Sequence, residues 1–475
     1  MSNADKDIHV GILGEEPQAR EQEVPYPRHL LVEKPPYRPR VSRVAVDRYF
    51  KQDYHDLEVE RIWKKSWQWA CREEEIPEIG DYMVYEVANL SFIVTRAGAG
   101  EFKAYWNSCL HRGRKLCDFA GKRATEFRCM FHGWAWNIDG SMKDMTCGWD
   151  FPDTRDEVTR LPEACTGVWG GFVFINPDPD CEPLSEFLGE LPDHFEGAGH
   201  DLGKRWKQVH VIAQVPANWK IVQEAFLEAW HVNYTHPQIA RSPDYRAVAG
   251  NRWDDFGNWM RSVPARTTDR YKTPPGYANS VARTAQDAVD TYWDYHLNEE
   301  PRVKIGPDEK AGQVIVREIR KSVRSILGEA VKAYHDVHMS TGEMVNIWPN
   351  FHPWGGFSRL VYRFRPYKND PERSLMDVLL LAPWPEDRPR PPPAPPHELG
   401  LENSISEAHE LGGLWRVLQQ DLGNVSAVQA GLKTSAQGYV ILSQHNDAPV
   451  RKFHDMYDRW MGLEGGDHLA AKKPK

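Results

Sequence analysis

Several absences narrow what this chain can be. No apolar run approaches the roughly 20 residues that a membrane span requires. The opening stretch MSNADKDIHVGILGEEPQ is polar and acidic, without the basic-then-apolar order of a secretory leader. Positive charge is also short: the formal net charge is −9, a poor match for nucleic-acid phosphates. Cysteine is absent beyond Cys181. The seven present (Cys71, Cys109, Cys117, Cys129, Cys147, Cys165 and Cys181) form an odd-numbered, one-sided set that makes a poor disulfide framework. No Gly-x-Gly-x-x-Gly follows a strand-like run, so the chain offers no nicotinamide or flavin site of its own. There is no internal repeat. These absences lead us to expect a cytoplasmic protein with neither membrane nor nucleic acid as a partner.

What is present divides the chain. Its 475 residues are too many for one ordinary core and predict two domains or three. Residues 1–65 read as a proline-dotted arm followed by a helix, in which Leu57, Val59, Ile62 and Trp63 can share a buried stripe. Residues 66–181 change character. Short runs such as DYMVYEV, SFIVTRA, EFKAYWN and GGFVFINP alternate with Gly, Pro and Asp turns, as in a small all-β domain. Residues 182–475 are mixed. WKIVQEAFLEAWHVNYTH is predicted as one helix, EMVNIWPNF, FSRLVYRFRP and SLMDVLLLAPW as strands, and PEDRPRPPPAPP as a surface connection that can form neither helix nor central strand.

Chemistry concentrates in two places. The first is NSCLHRGRKLCDFAGKRATEFRCMFHGWAWNIDG, which sets Cys109-x-His111, seventeen residues, then Cys129-x-x-His132. Two thiolates and two imidazoles so close together make a metal site, since each short pair can chelate from one tight turn. Gly113 and Gly133 follow the histidines and permit such turns at the tips of hairpins. Zinc accepts the same ligand set, so ligand type alone leaves zinc open.

The wider pattern resembles the Rieske centre, in which two cysteines hold one iron of a [2Fe-2S] cluster and two histidines the other. It includes His-Arg-Gly after the first pair and His-Gly-Trp with a later Asp-Gly after the second. Phe131 and Trp134 would shield the cluster from water. The extra loop cysteines of respiratory Rieske proteins are missing, because Met130 and Phe131 occupy the second loop and Cys117 lies too far along. That fits the low end of a potential range of roughly −150 to +300 mV. Cys117 is expected to be a core thiol.

The second place is NWKIVQEAFLEAWHVNYTHPQ. On a helix, Glu224, Glu228 and His231 fall within an arc of about 60°, and burying them together is costly without a cation. His236 would point about 100° away, but Pro237 disfavours helix at the preceding residue and lets the chain turn. An isolated His-x4-His is ordinarily a satisfied pair of histidines. Beside the first constellation, however, the segment resembles the mononuclear iron site of Rieske non-haem iron oxygenases, in particular the large (alpha) subunits of the aromatic-ring-hydroxylating dioxygenases.

The resemblance covers roughly residues 45–460. It implies an α+β protein: a small all-β Rieske domain and a larger helix-grip type catalytic domain with antiparallel sheet and helices. It implies iron bound by His231, His236 and Asp421, the last read from LWRVLQQDLGNVSAVQAGLK, a facial triad that leaves positions open. It implies that Glu228 links the two metals by bonding a Rieske histidine of the adjacent subunit, so that electrons pass from His132 through Glu228. It also implies an external NAD(P)H-dependent reductase with or without a ferredoxin, a homotrimer in a bacterial cytoplasm, and leaves a small beta subunit open. Ala225 and Phe226 are candidate pocket residues. Two departures bear on the reaction. Glu228 stands where most ring dihydroxylases have aspartate, as in branches that oxidise quaternary amines, and Ala225 replaces the family's asparagine. Hydroxylation of an aromatic or polycyclic substrate therefore competes with monooxygenation or demethylation of a non-aromatic one. A Rieske electron-transfer protein and a zinc-bound interaction module are the readings from other classes.

Overall fold

The computed structural model describes residues 40–197, 201–236, 252–263, 286, 289–290, 293, 303–309, 311–340, 343–384 and 387–463. The N-terminal arm before residue 40, Pro237 and much of 240–302 lie outside them. The chain divides into two compact units: His55–Gly189 with Pro366–Asp370, and the remainder. Strands are numbered in chain order. The larger unit begins with β1 (Arg43–Ala45), antiparallel to β19 (Tyr439–Ile441).

The smaller unit is built of short strands. β2 (Gln68–Arg72), β3 (Tyr82–Val87), β4 (Leu90–Gly98), β5 (Glu101–Trp106), β9 (Glu163–Trp169) and β10 (Phe172–Asn176) form a six-stranded sheet in the order β2-β10-β9-β5-β4-β3. β6 (Glu126–Arg128), β7 (Ala135–Asn137) and β8 (Met142–Asp144) form a three-stranded one. Its core gathers Ile93, Tyr105, Phe127, Trp134 and Trp136 around Cys109, Cys117 and Cys129. Burial pushes the Cys117 thiol up to about 11, in keeping with an inert core position.

The larger unit holds an eight-stranded sheet, β12-β13-β14-β15-β16-β17-β11-β18, with β11 at Arg205–Val215, β12 at Arg252–Asp255, β13 at Trp259–Val263, β14 at Met344–Ile347, β15 at Phe351–Pro353, β16 at Leu360–Tyr367, β17 at Asp370–Pro383 and β18 at His397–Leu399. The long β11–β17 pair is antiparallel and β18 adds in parallel. Alternation along these strands separates two chemistries. Val209, Val211, Ala213, Tyr362, Phe364, Met376, Val378 and Leu380 join the main core with helices α1 (Trp219–Ala225) and α4 (Leu414–Lys433). The intervening His210, Arg363, Arg365 and Asp377 form a buried ionic cluster, with Arg363 Nη2 2.7 Å from Asp377 Oδ1. Burial would raise the Asp377 carboxyl, but the two guanidinium groups hold it well below the usual range. Of the remaining helices, α2 is Val232–Thr235, α3 Ala311–Leu327 and α5 Ala448–Met461. No described helix is long and apolar enough to cross a membrane.

His352 on β15 sets an acid limit on stability. It is 3% exposed and burial drives its pKa down to about 3. The folded imidazole stays neutral, while an unfolded one takes a proton below about pH 6.5. From there down to about pH 3 the unfolded state binds more protons, so stability falls on acidification, by about 2 kcal/mol at pH 5. Thermal melts should show this loss between about pH 7 and pH 5, and His352→Gln should flatten that part of the curve.

Candidate functional site

In the smaller unit the two Cys/His pairs sit on turns with the same hydrogen bonds. Cys109 N–H donates to Arg114 O at 2.8 Å and Gly113 N–H to Cys109 O at 2.9 Å; Cys129 N–H donates to Trp134 O at 2.8 Å and Gly133 N–H to Cys129 O at 3.0 Å. Both turns need a left-handed residue, met by Gly113 at φ +75° and Gly133 at φ +81°. The second pair caps the β6–β7 hairpin as predicted. The first turn follows β5 but has no paired strand on its far side. Backbone N–H groups of His111 and Arg112 reach Cys109, and those of Phe131 and His132 reach Cys129. Such amides favour the sulfur anion, the form that binds metal; at Cys109 burial outweighs them and raises the thiol, whereas the Cys129 thiol is lowered.

The four side chains pair off, ring beside ring and thiol beside thiol. The His111 and His132 rings are 4.5 Å apart, and the Cys109 and Cys129 thiols hydrogen-bond each other with no disulfide. His111 stacks on the buried Trp134 at 5.0 Å. Phe131 lies 3.9 Å from His132 but is itself 56% exposed, so it shields that ring from one side only. Arg112 donates to His132 Nε2 at 2.8 Å. His111 Nδ1 is buried with no hydrogen-bond partner. A buried ring nitrogen without a partner in the protein suits a ligand position.

The second segment departs from its predicted form. The helix does not run through to His236: α1 ends at Ala225, residues 226–231 turn, and α2 is one short turn. The cause is Glu228. Its Oε2 accepts the backbone N–H groups of Trp230 and of His231, the latter at 3.1 Å, and its Oε1 accepts His231 Nδ1–H at 2.8 Å. A carboxylate capping its own following turn offers the backbone an alternative to continued helix. Glu224, Glu228 and His231 consequently do not share one helical face. Glu224 instead accepts from Tyr49 Oη at 2.9 Å and lies 3.0 Å from His454 Nε2. His454 Nδ1 meets Arg48, which pairs with Asp458 at 3.1 Å.

His231, His236 and Asp421 nevertheless come together. One ligand atom from each lies within 4.8 Å of the others, and among the described residues this is the one such group found. Asp421, buried on α4, has Oδ1 2.8 Å from His236 Nε2 and 3.5 Å from His231 Nε2. Each imidazole is held from behind. Glu228 takes His231 Nδ1–H, and Gln420 Oε1 takes His236 Nδ1–H at 2.8 Å. With the proton on Nδ1, both Nε2 lone pairs face the common point. The sequence reading missed Gln420, whose only signal is its place one residue before Asp421. Asn424 Nδ2 donates to Thr235 Oγ1 at 2.9 Å and ties α4 to α2. Ala225 and Phe226 are half-buried against the main core, with the Phe226 ring 5.0 Å from Tyr362 and 5.3 Å from Phe364.

The profile described as "Ring hydroxylating alpha subunit (catalytic domain)" matches residues 202–463, and that described as "Rieske [2Fe-2S] domain" matches residues 66–151. The chain belongs to the Rieske ring-hydroxylating oxygenase family. Among curated proteins the chain is similar to the anthranilate 1,2-dioxygenase large subunit of Acinetobacter baylyi, at 29% identity over 43% of this chain and 45% of that one. It is also similar to the carnitine monooxygenase oxygenase subunit of Escherichia coli K12, at 26% identity over 44% and 56%. The chain thus spans about half the length of the curated relatives it matches. Its fold is that of a quaternary ammonium Rieske monooxygenase (TM-score 0.60, 17% identity, 89% of this chain and 96% of that one). It is likewise that of naphthalene 1,2-dioxygenase (TM-score 0.59, 16% identity, 88% and 92%).

The family carries a [2Fe-2S] cluster in the Rieske domain and a mononuclear iron in the catalytic domain. The residues present fit both groups. Two thiols in mutual contact and two imidazoles in mutual contact, one with an orphaned Nδ1, sit on two like turns of the first unit. Two Nε2 atoms and one carboxylate oxygen face one another in the second.

Proposed function

We propose that Cys109, His111, Cys129 and His132 hold the cluster, that His231, His236 and Asp421 hold the iron, and that the protein is the oxygenase component of a system hydroxylating an organic, aromatic or polycyclic substrate. The observation that carries this reading is the convergence of His231 Nε2, His236 Nε2 and Asp421 Oδ1 with both Nδ1 protons committed to acceptors behind them. When bound, the cluster supplies electrons one at a time and the iron supplies activation of dioxygen. The chain's own residues prepare the place. Glu228 and Gln420 set the tautomers, Asp421 contributes the single negative charge among the three ligands, and a three-ligand set leaves positions open for other molecules.

Electrons come from outside, since the sequence has no dinucleotide fingerprint. A separate reductase, with or without a ferredoxin, and a homotrimeric assembly complete the proposed system. Glu228, already bonded to His231, is the residue through which electrons from a neighbouring subunit's cluster would reach the iron. Glutamate rather than aspartate at this position favours a second reading, oxidation of a quaternary amine. Reductase-supplied turnover under labelled dioxygen, followed by product mass analysis, tests the proposal. Label in a hydroxylated product supports it, and products without label remove it. One atom per product favours monooxygenation and two favour dihydroxylation.

Gln420 gives a sharper test of the ligand set. Gln420→Leu removes the acceptor behind His236 and should weaken iron affinity about 10- to 100-fold. Metal titration of the chelated protein measures it, and unchanged affinity would remove Gln420 from the site.

A further inference from the structure

Two cysteines that neither proposed metal site uses lie beside each other in the smaller unit. Cys165 stands on β9, where its register partner on β10 is Asn176. After Asn176 the chain turns repeatedly. Asp178 N–H donates to Asn176 Oδ1 at 3.0 Å, Asp180 N–H to Asp178 Oδ1 at 3.2 Å, and Cys181 N–H to Asp178 O at 3.3 Å. These turns return Cys181 to Cys165, and the two thiols hydrogen-bond each other. The Cys165 thiol also donates to the carbonyls of Asp178 and Pro179, at 3.6 and 3.9 Å. The strap from Asn176 to Glu182 is tied a second time, to the residues just before β2. Asn176 Nδ2 donates to Lys65 O at 3.1 Å, Lys65 Nζ pairs with Asp178 Oδ2 at 2.9 Å, and Trp67 Nε1 donates to Glu182 O at 3.0 Å.

Touching thiols can bind a metal or be oxidised. Among the described residues no third histidine, cysteine or carboxylate joins this pair within ligand range, which leaves oxidation. Cys165 and Cys181 are both partly exposed, unlike the buried Cys109, Cys117 and Cys129, and neither is bonded to another cysteine. A reagent can therefore reach them. Sulfurs already in contact need only a small movement of the strap to reach the S–S bond length of about 2 Å. Burial, and after it the Cys165 thiol, pushes the Cys181 thiol up to about 12. Cys181 thus keeps its proton at neutral pH, and the first attack falls to the Cys165 sulfur.

We propose that Cys165 and Cys181 form a dithiol modification site, closed to a disulfide by a low-molecular-weight disulfide such as oxidised glutathione, and that the bond clamps the 176–182 strap to β9. The Cys165 sulfur gives its proton to solvent and attacks one sulfur of the reagent. The reagent's S–S bond breaks, and one glutathione leaves as a thiolate that takes up a proton. The Cys181 sulfur then loses its proton and attacks the Cys165 sulfur, and the second glutathione leaves in the same way. Two electrons pass from the cysteine pair to the reagent, and excess thiol reverses both steps. An odd, one-sided set of cysteines makes a poor framework of permanent disulfides, but one reversible bond needs only this pair. The proposal does not rest on the oxygenase reading.

The test is to treat the full-length, metal-loaded protein with oxidised glutathione, alkylate it, and map its peptides by mass. Trypsin leaves both cysteines in one peptide, residues 161–204, because no Lys or Arg lies between Arg160 and Lys204. That peptide should lose both alkyl groups, become lighter by two hydrogens, and return to the alkylated form after dithiothreitol. Exposed Cys147 is the internal control and should carry a glutathione. In Cys181→Ser the glutathione should stay on Cys165, and in Cys165→Ser the remaining Cys181 should still be alkylated. Each variant is checked for folding by its visible spectrum. The thermal midpoint of the oxidised wild-type protein should rise, since the bond restricts the unfolded chain. Recovery of both alkylated cysteines when Cys147 is fully converted, glutathione persisting on wild-type Cys165, or a bond to any other cysteine would overturn the modification site. A Cys165–Cys181 bond that leaves the midpoint unchanged would overturn the clamp.

Discussion

Asp421→Ala is expected to abolish substrate oxidation and to strip the mononuclear iron while leaving the protein coloured. Asp421 contributes the carboxylate of the proposed triad, and its Oδ1 is the atom both Nε2 atoms approach, at 2.8 and 3.5 Å. Without it two neutral imidazoles face each other, and a divalent ion loses its single anionic ligand. Removing a group that merely supports a ligand costs about 10- to 100-fold in metal affinity, so removing the ligand should exceed the upper figure. Iron per chain should fall from about three to about two, the two belonging to the cluster. The measurement is elemental iron beside the visible spectrum. Retention of all the iron would mean that another carboxylate supplies the charge, with Glu228 next in line.

Cys129→Ser is expected to produce the complementary loss. Cys129 is 1% exposed, its sulfur takes turn amides from Phe131 and His132, and serine preserves the backbone bond to Trp134. The substitution removes one of two thiolates on one iron, and the cluster should fail to assemble. The protein should lose its colour and about two irons per chain, keep one, and show no reductase-driven turnover. Cys117→Ser is the control. Cys117 is also buried in the same core, but Tyr82 and apolar groups, rather than turn amides, surround its thiol. Its loss should leave the spectrum unchanged. Colour surviving Cys129→Ser, or a colourless wild-type protein containing zinc, would sink the cluster assignment.

The two sites differ in how far a reader of the sequence could see. In Cys109–Gly113 and Cys129–Gly133 each thiol and its histidine lie within three residues, and the turn joining them is written in the same short stretch, ending in a glycine. At the second site the expected helix fails because Glu228 bonds the amides of the next turn. Helical periodicity counts spacing and cannot register a side chain that competes for the backbone. Gln420 was invisible for a related reason. Nothing in its own neighbourhood distinguishes it from Gln419, and only the seating of α4 against α2 turns it toward His236.

Sequence by itself determined the candidate cluster ligands, the strand content of residues 66–181, and the family that both point to, because short turns and alternating burial are local properties of the chain. Only the tertiary structure decided that His231 and His236 meet a carboxylate 185 residues beyond His236. It alone decided which acceptors fix their tautomers. Those arrangements arise where separate segments pack on one sheet, and no periodicity along the chain encodes which side chains will be left facing one another.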